Sequence, residues 1–247
     1  MGNFEAWFAR SYKGIIIALV AVMAVTLVVL AMQHVEASRP GSNAVAAPAP
    51  TFSSTPKADK TPRAVFLGDS YTQGTGASSD ATRWTALVAK QEGWREVNRG
   101  QGGTGYVHTA GPEGCGLDVC PAYTDRVAEI VELQPDVVVV AGGQNDFGAF
   151  GNNPSTITAA INKVYGDLRQ GLPNARIIAV GPSAPGAITD AITGLDAAVQ
   201  AAASANDATY VSLLDPNVIT PDMVRSDKQH VIDTGHAAIA ARVESAL

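Results

Sequence analysis

Short apolar runs alternate with longer amphipathic segments from residue 63 onwards. Two of the runs, AVFL at 64–67 and DVVVV at 136–140, stand next to glycine or proline, which is typical of strands buried on both faces. The segment 123–133 instead places most of its apolar side chains on one helical side. The pattern predicts strands at 64–67, 96–98, 136–140, 175–180 and 209–214, and helices at 83–91, 123–133, 155–170, 188–205 and 234–246.

This alternation predicts the fold class. Parallel strands need a long crossover between them, and a helix that packs on the face of the sheet is the usual one. Five strands with intervening helices therefore predict an α/β protein with a five-stranded, doubly wound parallel sheet in a three-layer α/β/α arrangement.

The beginning of the chain has a different pattern, because residues 14–32 (GIIIALVAVMAVTLVVLAM) contain no charged side chain. A helix of this length is close to the ~30 Å hydrocarbon thickness of a bilayer. We predict a transmembrane signal anchor here, with a cleaved signal peptide as the alternative, since small-residue cleavage sites follow the run. Arg10 and Lys13 then predict that residues 1–13 are cytoplasmic. The rest of the chain is expected outside the cell membrane, or secreted if the segment is cleaved.

Residues 33–62 connect this segment to the predicted domain. They are rich in proline, alanine, serine and threonine and have no apolar period. Such a segment cannot bury a core, so we predict a flexible linker. The folded domain is expected to span residues 63–247.

Charge and cysteine content narrow the class of partner. The formal net charge is −6, and Lys and Arg do not cluster within the domain, so nucleic acid is not expected as a partner. In an exported domain, Cys115 and Cys120 predict a local disulfide, with two free thiols as the alternative. No metal site is expected, because a structural zinc site needs four ligands and no second Cys/His pair follows at finger spacing.

Residues of the types that take part in catalysis follow four of the predicted strands. Ser70 follows the first strand, a glycine-rich segment at 98–103 the second, Asn145 the third, and Asp227 and His230 the fifth. The carboxyl ends of parallel strands share one edge of the sheet, so these groups are expected to converge there. A nucleophile, a base, a carboxylate that orients the base, and donors for an oxyanion are the groups that acyl transfer requires.

The same residues carry a family resemblance. Gly68-Asp69-Ser70, the segment 98–103, Gly143-x-Asn145-Asp146 and a late Asp-x-x-His resemble, in order, the four blocks of the SGNH/GDSL hydrolases. The resemblance implies a flavodoxin-like sheet and esterase, lipase or acyltransferase chemistry without a metal or other cofactor. It also implies Ser70 as the nucleophile, with the oxyanion bound by the N–H groups of Ser70 and Gly103 and by the Asn145 amide. Gly102 is the alternative to Gly103.

Two Asp-x-x-His matches stand near the end of the chain, Asp227/His230 and Asp233/His236. The family pattern favours the first pair as acid and base, although Val231 stands where the family usually has proline. The local pattern agrees, because His236 falls on the packed face of the last helix and Asp233 at its expected N-cap.

These observations predict a serine esterase or acyl hydrolase. Its substrates are expected to be small acyl esters, on acylated glycans or lipids of the cell envelope or outside the cell. The membrane would be contacted through the N-terminal helix. An acyltransferase that uses the same site, or a binding module without catalysis, are the alternatives.

Overall fold

The structure, a computed structural model, describes residues 60–247 together with Met23 and Thr26. Five parallel strands form one sheet in the order β2-β1-β3-β4-β5. The strands are β1 (Arg63–Gly68), β2 (Arg95–Gly100), β3 (Val137–Ala141), β4 (Arg176–Val180) and β5 (Thr209–Val211). The predicted parallel sheet is confirmed, and its strand order is that of flavodoxin-like doubly wound folds.

Helices cover both faces of the sheet. They are α1 (Ser70–Gln73), α2 (Trp84–Gln91), α3 (Pro112–Cys115), α4 (Tyr123–Glu132), α5 (Phe147–Asn152), α6 (Pro154–Gly171), α7 (Asp190–Ala205) and α8 (Asp233–Glu244). The five longer ones, α2, α4, α6, α7 and α8, are the helices that the periodicity predicts. The short helices α1, α3 and α5 were not predicted, since so few residues carry no detectable period.

Alternate side chains of each central strand enter two separate cores. Val65 and Leu67 of β1 pack with α4, α6 and α7 on one face, whereas Ala64 and Phe66 pack with α2 and α8 on the other. All four are completely buried, which is why this strand is an unbroken apolar run in the sequence. The arrangement confirms the predicted three-layer α/β/α architecture.

Strand β5 is shorter than predicted, because it ends at Val211 and not at residue 214. The Ser212 hydroxyl accepts hydrogen bonds from the N–H groups of Leu214 and Asp215, each at 3.1 Å. These local bonds turn the backbone away from the ladder, as serine side chains often do at the ends of strands.

A disulfide joins Cys115 to Cys120, as predicted. It lies in the long connection between β2 and α4, where Ala110 and Cys120 also exchange two backbone hydrogen bonds of 3.0 and 2.8 Å. The disulfide therefore closes a loop that makes no hydrogen bonds to the strands of the sheet through this bridge.

None of the helices among the residues described is both long enough and apolar enough to span a membrane. The predicted anchor at 14–32 lies, apart from Met23 and Thr26, outside the described residues, as do residues 1–13 and the linker up to residue 59. These assignments remain predictions.

Candidate active site

Ser70 lies where β1 meets α1, at the carboxyl edge of the sheet. Gly68 ends the strand where no side chain fits, since a Cβ there would lie 2.1 Å from the Thr72 hydroxyl oxygen. Asp69 caps α1 by accepting the Tyr71 N–H at 2.9 Å. Ser70 is thereby held as the first residue of the helix, where a backbone N–H has no acceptor within the helix.

A hairpin formed by residues 223–232 approaches Ser70 from the other end of the chain. Val224 and Val231 pair across it as an antiparallel bridge. Asp227 and His230 lie near its tip, well after the end of β5. The pair therefore reaches the edge of the sheet on a separate loop and not directly from the end of a strand.

The hairpin brings three of the predicted residues into hydrogen-bond distance. His230 Nε2 lies 3.0 Å from Ser70 Oγ, and His230 Nδ1 lies 3.0 Å from Asp227 Oδ2. The other Asp227 oxygen accepts the backbone N–H groups of His230 and Gln229, both at 2.9 Å. These two N–H groups, helped by the imidazole, hold the pKa of Asp227 well below its usual range. An ionised carboxylate on Nδ1–H leaves the lone pair of Nε2 facing the serine hydroxyl.

Tyr71 holds the hairpin against α1, a role that the sequence pattern did not indicate. Its hydroxyl donates to the Gln229 carbonyl oxygen at 2.6 Å, and its ring centroid lies 6.0 Å from that of His230. Burial raises the pKa of Tyr71 to about 12, so the hydroxyl remains a donor at neutral pH. In the sequence, only the position of Tyr71 directly after Ser70 pointed to a role at the site.

Asn145 follows β3 in a short 3₁₀ turn and faces the same cleft as Ser70. Its side-chain nitrogen donates to the Thr104 carbonyl oxygen at 2.8 Å. An amide nitrogen carries two N–H groups, so one of them remains for a ligand.

The structure distinguishes the two candidate glycines. The Gly102 N–H donates to the Gln73 side-chain oxygen at 2.8 Å, whereas the Gly103 N–H has no acceptor among the described residues. Gly103 also has a φ of 76°, a left-handed conformation that glycine adopts without strain. Among the described residues, the Gly103 N–H is therefore free to bind a ligand, whereas the Gly102 N–H is not.

Asp146 positions the loop that follows Gly103. Its buried carboxylate accepts the backbone N–H groups of Tyr106, Val107 and His108, at 2.6, 3.3 and 3.1 Å. Burial still raises the pKa of Asp146, and the three N–H groups act in the opposite direction. Neighbouring residues of one motif thus hold this loop at two points, through the amide of Asn145 and through this carboxylate.

The second Asp-x-x-His match does not face Ser70. His236 is completely buried, accepts the Trp84 N–H on Nδ1 and approaches the Thr75 carbonyl oxygen with Nε2, both at 3.4 Å. Burial lowers the pKa of His236, which keeps the imidazole neutral. This histidine of α8 therefore contacts the start of α2 and the segment that precedes it.

The prediction that Asp233 is the N-cap of the last helix was wrong. Ile232 is the cap, and Asp233 belongs to the first turn of α8. Its carboxylate accepts the N–H and the hydroxyl of Ser78, at 2.8 and 2.6 Å, because that loop supplies two donors in place of the helix's own.

A cleft of about 350 Å³ opens over Ser70, Asn145 and His230. Its wall beyond Asn145 is apolar and is formed by Phe147, Ala184, Pro185, Gly186 and Ile192. Within the part of the chain that the structure describes, no group of three or more His, Cys, Asp or Glu side chains could bind a metal ion.

Asp69 is a buried carboxyl group next to Ser70. Only 1% of it is exposed, and its Oδ2 has no hydrogen-bond partner among the described residues. Burial raises the pKa of Asp69 from 3.8 to about 7, against the lowering effect of the Tyr71 N–H. Asp69 is therefore a supporting residue that keeps its proton up to about neutral pH.

Replacing this group, as Asp69→Asn, should change how stability depends on pH. The unfolded chain loses the proton near pH 3.8 and the folded protein near pH 7, so the free energy of unfolding of the wild type falls between these values. One pKa unit corresponds to about 1.4 kcal/mol. Relative to the wild type, the free energy of unfolding of the variant should therefore rise by about 2–4 kcal/mol as the pH increases across this window. Thermal unfolding at several pH values, with the exposed Asp118→Asn as control, measures it. A difference that does not change with pH would contradict a raised pKa of Asp69 in the folded protein.

The sheet order defines a doubly wound α/β protein, and a serine, a histidine and an aspartate meet at the edge of its sheet. Residues 66–238 match the GDSL-like Lipase/Acylhydrolase family, and the chain belongs to this family. A GDSL lipase of Mycobacterium tuberculosis is 26% identical over 184 residues, which cover 72% of this chain and 78% of that relative. As a member of this family, the protein is an ester-hydrolysing enzyme.

Solved structures share the fold at low sequence identity. The structure of TesA has a TM-score of 0.60 at 20% identity and covers 75% of this chain and 97% of its own. The aryl esterase of M. smegmatis has a TM-score of 0.57 at 16% identity, with coverage of 76% and 100%. The esterase EstA from Pseudoalteromonas sp., in a structure inhibited by monoethylphosphonate, has a TM-score of 0.57 at 15% identity, with coverage of 75% and 96%.

Proposed function

We propose that the protein is a serine esterase that works through an acyl-enzyme on Ser70, with His230 as the base and Asp227 as its partner. One observation carries this proposal: the His230 ring lies 3.0 Å from both Ser70 Oγ and Asp227 Oδ2. A nucleophile, a base and an orienting carboxylate joined in this way are the parts that nucleophilic catalysis on an ester needs.

The reaction begins with attack on the ester carbonyl. Ser70 Oγ bonds to the carbonyl carbon and gives its proton to His230 Nε2, while the carbonyl electron pair moves to oxygen. His230 then passes the proton to the alcohol oxygen as the carbon–oxygen bond breaks and the alcohol leaves. Water repeats the sequence on the acyl-enzyme, which releases the acid and restores the hydroxyl of Ser70. Asp227 stabilises the imidazolium in both steps.

Three donors are proposed for the oxyanion: the backbone N–H groups of Ser70 and Gly103 and the second N–H of the Asn145 amide. The two backbone groups have no acceptor among the described residues, which supports their availability for a ligand. Donors fixed before the reaction stabilise a developing negative charge without reorganisation. The bond from Asn145 to Thr104 fixes the amide in this way.

Turnover of p-nitrophenyl acetate tests the nucleophile. The wild type is expected to hydrolyse this ester, and Ser70→Ala is expected to lose about 10⁶-fold in kcat, as other enzymes do without their nucleophilic serine. Ser155→Ala, which changes an exposed serine of α6, is the control. Activity of Ser70→Ala close to that of the wild type would favour a binding module or another nucleophile.

The proposed substrates are acyl esters on glycans or lipids of the cell envelope or outside the cell. The charge-free segment 14–32 and the Cys115–Cys120 disulfide support this location, since disulfides persist in oxidising compartments. Fractionation of cells that express the whole chain should recover it in membranes, or in the medium if the segment is cleaved. Recovery in the cytosol with both thiols reduced would contradict the location.

A further inference from the structure

The proposed directions of attack and departure keep the acyl group away from the histidine. The tetrahedral carbon of the proposed reaction carries four substituents, and Ser70 Oγ is the first of them. The oxyanion faces Gly103 and Asn145, and the leaving alcohol oxygen must face His230 Nε2, from which it receives a proton. The acyl chain therefore occupies the part of the cleft that lies away from His230.

That part of the cleft is the apolar wall beyond Asn145, which we name the acyl wall: Phe147, Ala184, Pro185, Gly186 and Ile192. The strand order β1-β3-β4 places Ser70, then Asn145, then the loop with residues 184–186 in sequence along the edge of the sheet.

The acyl wall and the histidine stand on opposite sides of that edge. Phe147 packs against the core that α4, α6 and α7 cover. Val231, the residue after His230, belongs to the core on the other face. A chain that leaves the carbonyl carbon away from the histidine therefore runs along the acyl wall, which contains no charged side chain.

The size of the cleft limits the acyl chain. At ~30 Å³ for each non-hydrogen atom, the volume of a water molecule in the liquid, about 350 Å³ holds about a dozen atoms. The ester group and the first atoms of the alcohol take part of this room, so only a short chain fits. Gly186 is exposed at the rim, where a longer chain would emerge into solvent and gain nothing from burial.

We propose that the acyl wall makes the enzyme selective for short, uncharged acyl groups, up to about six carbons, and that Gly186 sets the outer limit. This inference rests on the proposed serine esterase function. It predicts that each methylene buried against the wall raises kcat/KM by about fourfold, until the chain reaches the rim.

The variant Gly186→Phe tests the limit directly. A Cβ at this position meets no atom within 4 Å, so the rim has room for a ring there without displacement of the protein, and the ring is expected to narrow the outer end of the cleft. Assays with p-nitrophenyl acetate, butyrate, hexanoate, octanoate and decanoate should show kcat/KM of the wild type rising to hexanoate and then levelling off. In the variant, the ratio of hexanoate to acetate should fall at least about tenfold, because two or more methylenes lose their contact.

Two further variants make the test specific. Gly148→Phe is the matched control, because Gly148 is exposed on α5, lies outside the cleft and also has no atom within 4 Å of a Cβ. Its chain-length profile should equal that of the wild type. Phe147→Ala enlarges the cleft, so the chain length at which kcat/KM stops rising should move from hexanoate to octanoate.

The outcomes separate this inference from the function on which it rests. Rates that keep rising to decanoate in the wild type, or a Gly186→Phe profile equal to that of the wild type, would overturn the acyl wall while Ser70 still turns over acetate. A wild type that hydrolyses none of the esters contradicts the serine esterase itself, and with it the inference.

Discussion

His230→Ala is expected to lower kcat for p-nitrophenyl acetate by about 10⁴-fold to 10⁶-fold, the range seen when triad members of serine hydrolases are removed. Without the imidazole, Ser70 Oγ keeps its proton during attack, and the leaving alcohol receives none. Substrate affinity depends on the cleft more than on this proton transfer, so KM should change much less than kcat. Steady-state kinetics on folded, purified variants measures both constants.

His236→Ala is the matched control, since it removes the other histidine of the two Asp-x-x-His pairs. It should lower the melting temperature, because the buried N–H of Trp84 and carbonyl of Thr75 lose their partner. The folded variant should nevertheless keep most of its kcat. If His230→Ala stays active while His236→Ala is folded and inactive, the assignment of the base is wrong.

Asn145→Ala is expected to lower kcat by about 10²-fold to 10³-fold, which corresponds to about 2.7–4 kcal/mol of transition-state stabilisation. The amide N–H that faces the cleft becomes important only when negative charge develops on the carbonyl oxygen. The loss should therefore appear in kcat and kcat/KM together, and KM should remain close to that of the wild type. The same ester assay measures it.

The amide also holds the Thr104 carbonyl oxygen, so a control must separate the two roles. Thr104→Ala removes the hydroxyl that donates to the Gln101 carbonyl oxygen at 2.7 Å and loosens the same loop without removing a proposed donor. Its loss of kcat should be much smaller than that of Asn145→Ala. Equal losses in the two variants would mean that Asn145 acts only through the position of the loop.

The central strands were predictable from the sequence because both of their faces are buried. The apolar run at 136–140 falls on β3, Val137–Ala141, all of whose residues are buried. The 223–232 hairpin gave no such signal, since the bridge between Val224 and Val231 is short and Lys228 at its tip adopts a left-handed φ of 61°. Lysine is not the residue that predicts such a turn.

The candidate site shows the same division. Ser70 and Asn145 directly follow β1 and β3, two parallel strands. The carboxyl ends of parallel strands share one edge of the sheet, so the convergence of these two residues could be predicted from the sequence. The spacing of the motif already favoured Gly103 over Gly102, but the contact that occupies the Gly102 N–H joins residues 29 positions apart. The support from Tyr71 to the hairpin spans 158 positions. Contacts of this kind depend on how distant elements pack, and no local pattern encodes them.

The proposed catalysis requires that Ser70 is a nucleophile activated by His230. Intact-protein mass spectrometry after exposure to a fluorophosphonate, with peptide mapping of the adduct, tests it most directly. We expect one adduct per chain, located on Ser70, absent from Ser70→Ala and formed far more slowly by His230→Ala. A wild type that forms no adduct, or an adduct on another residue that persists in Ser70→Ala, would contradict it.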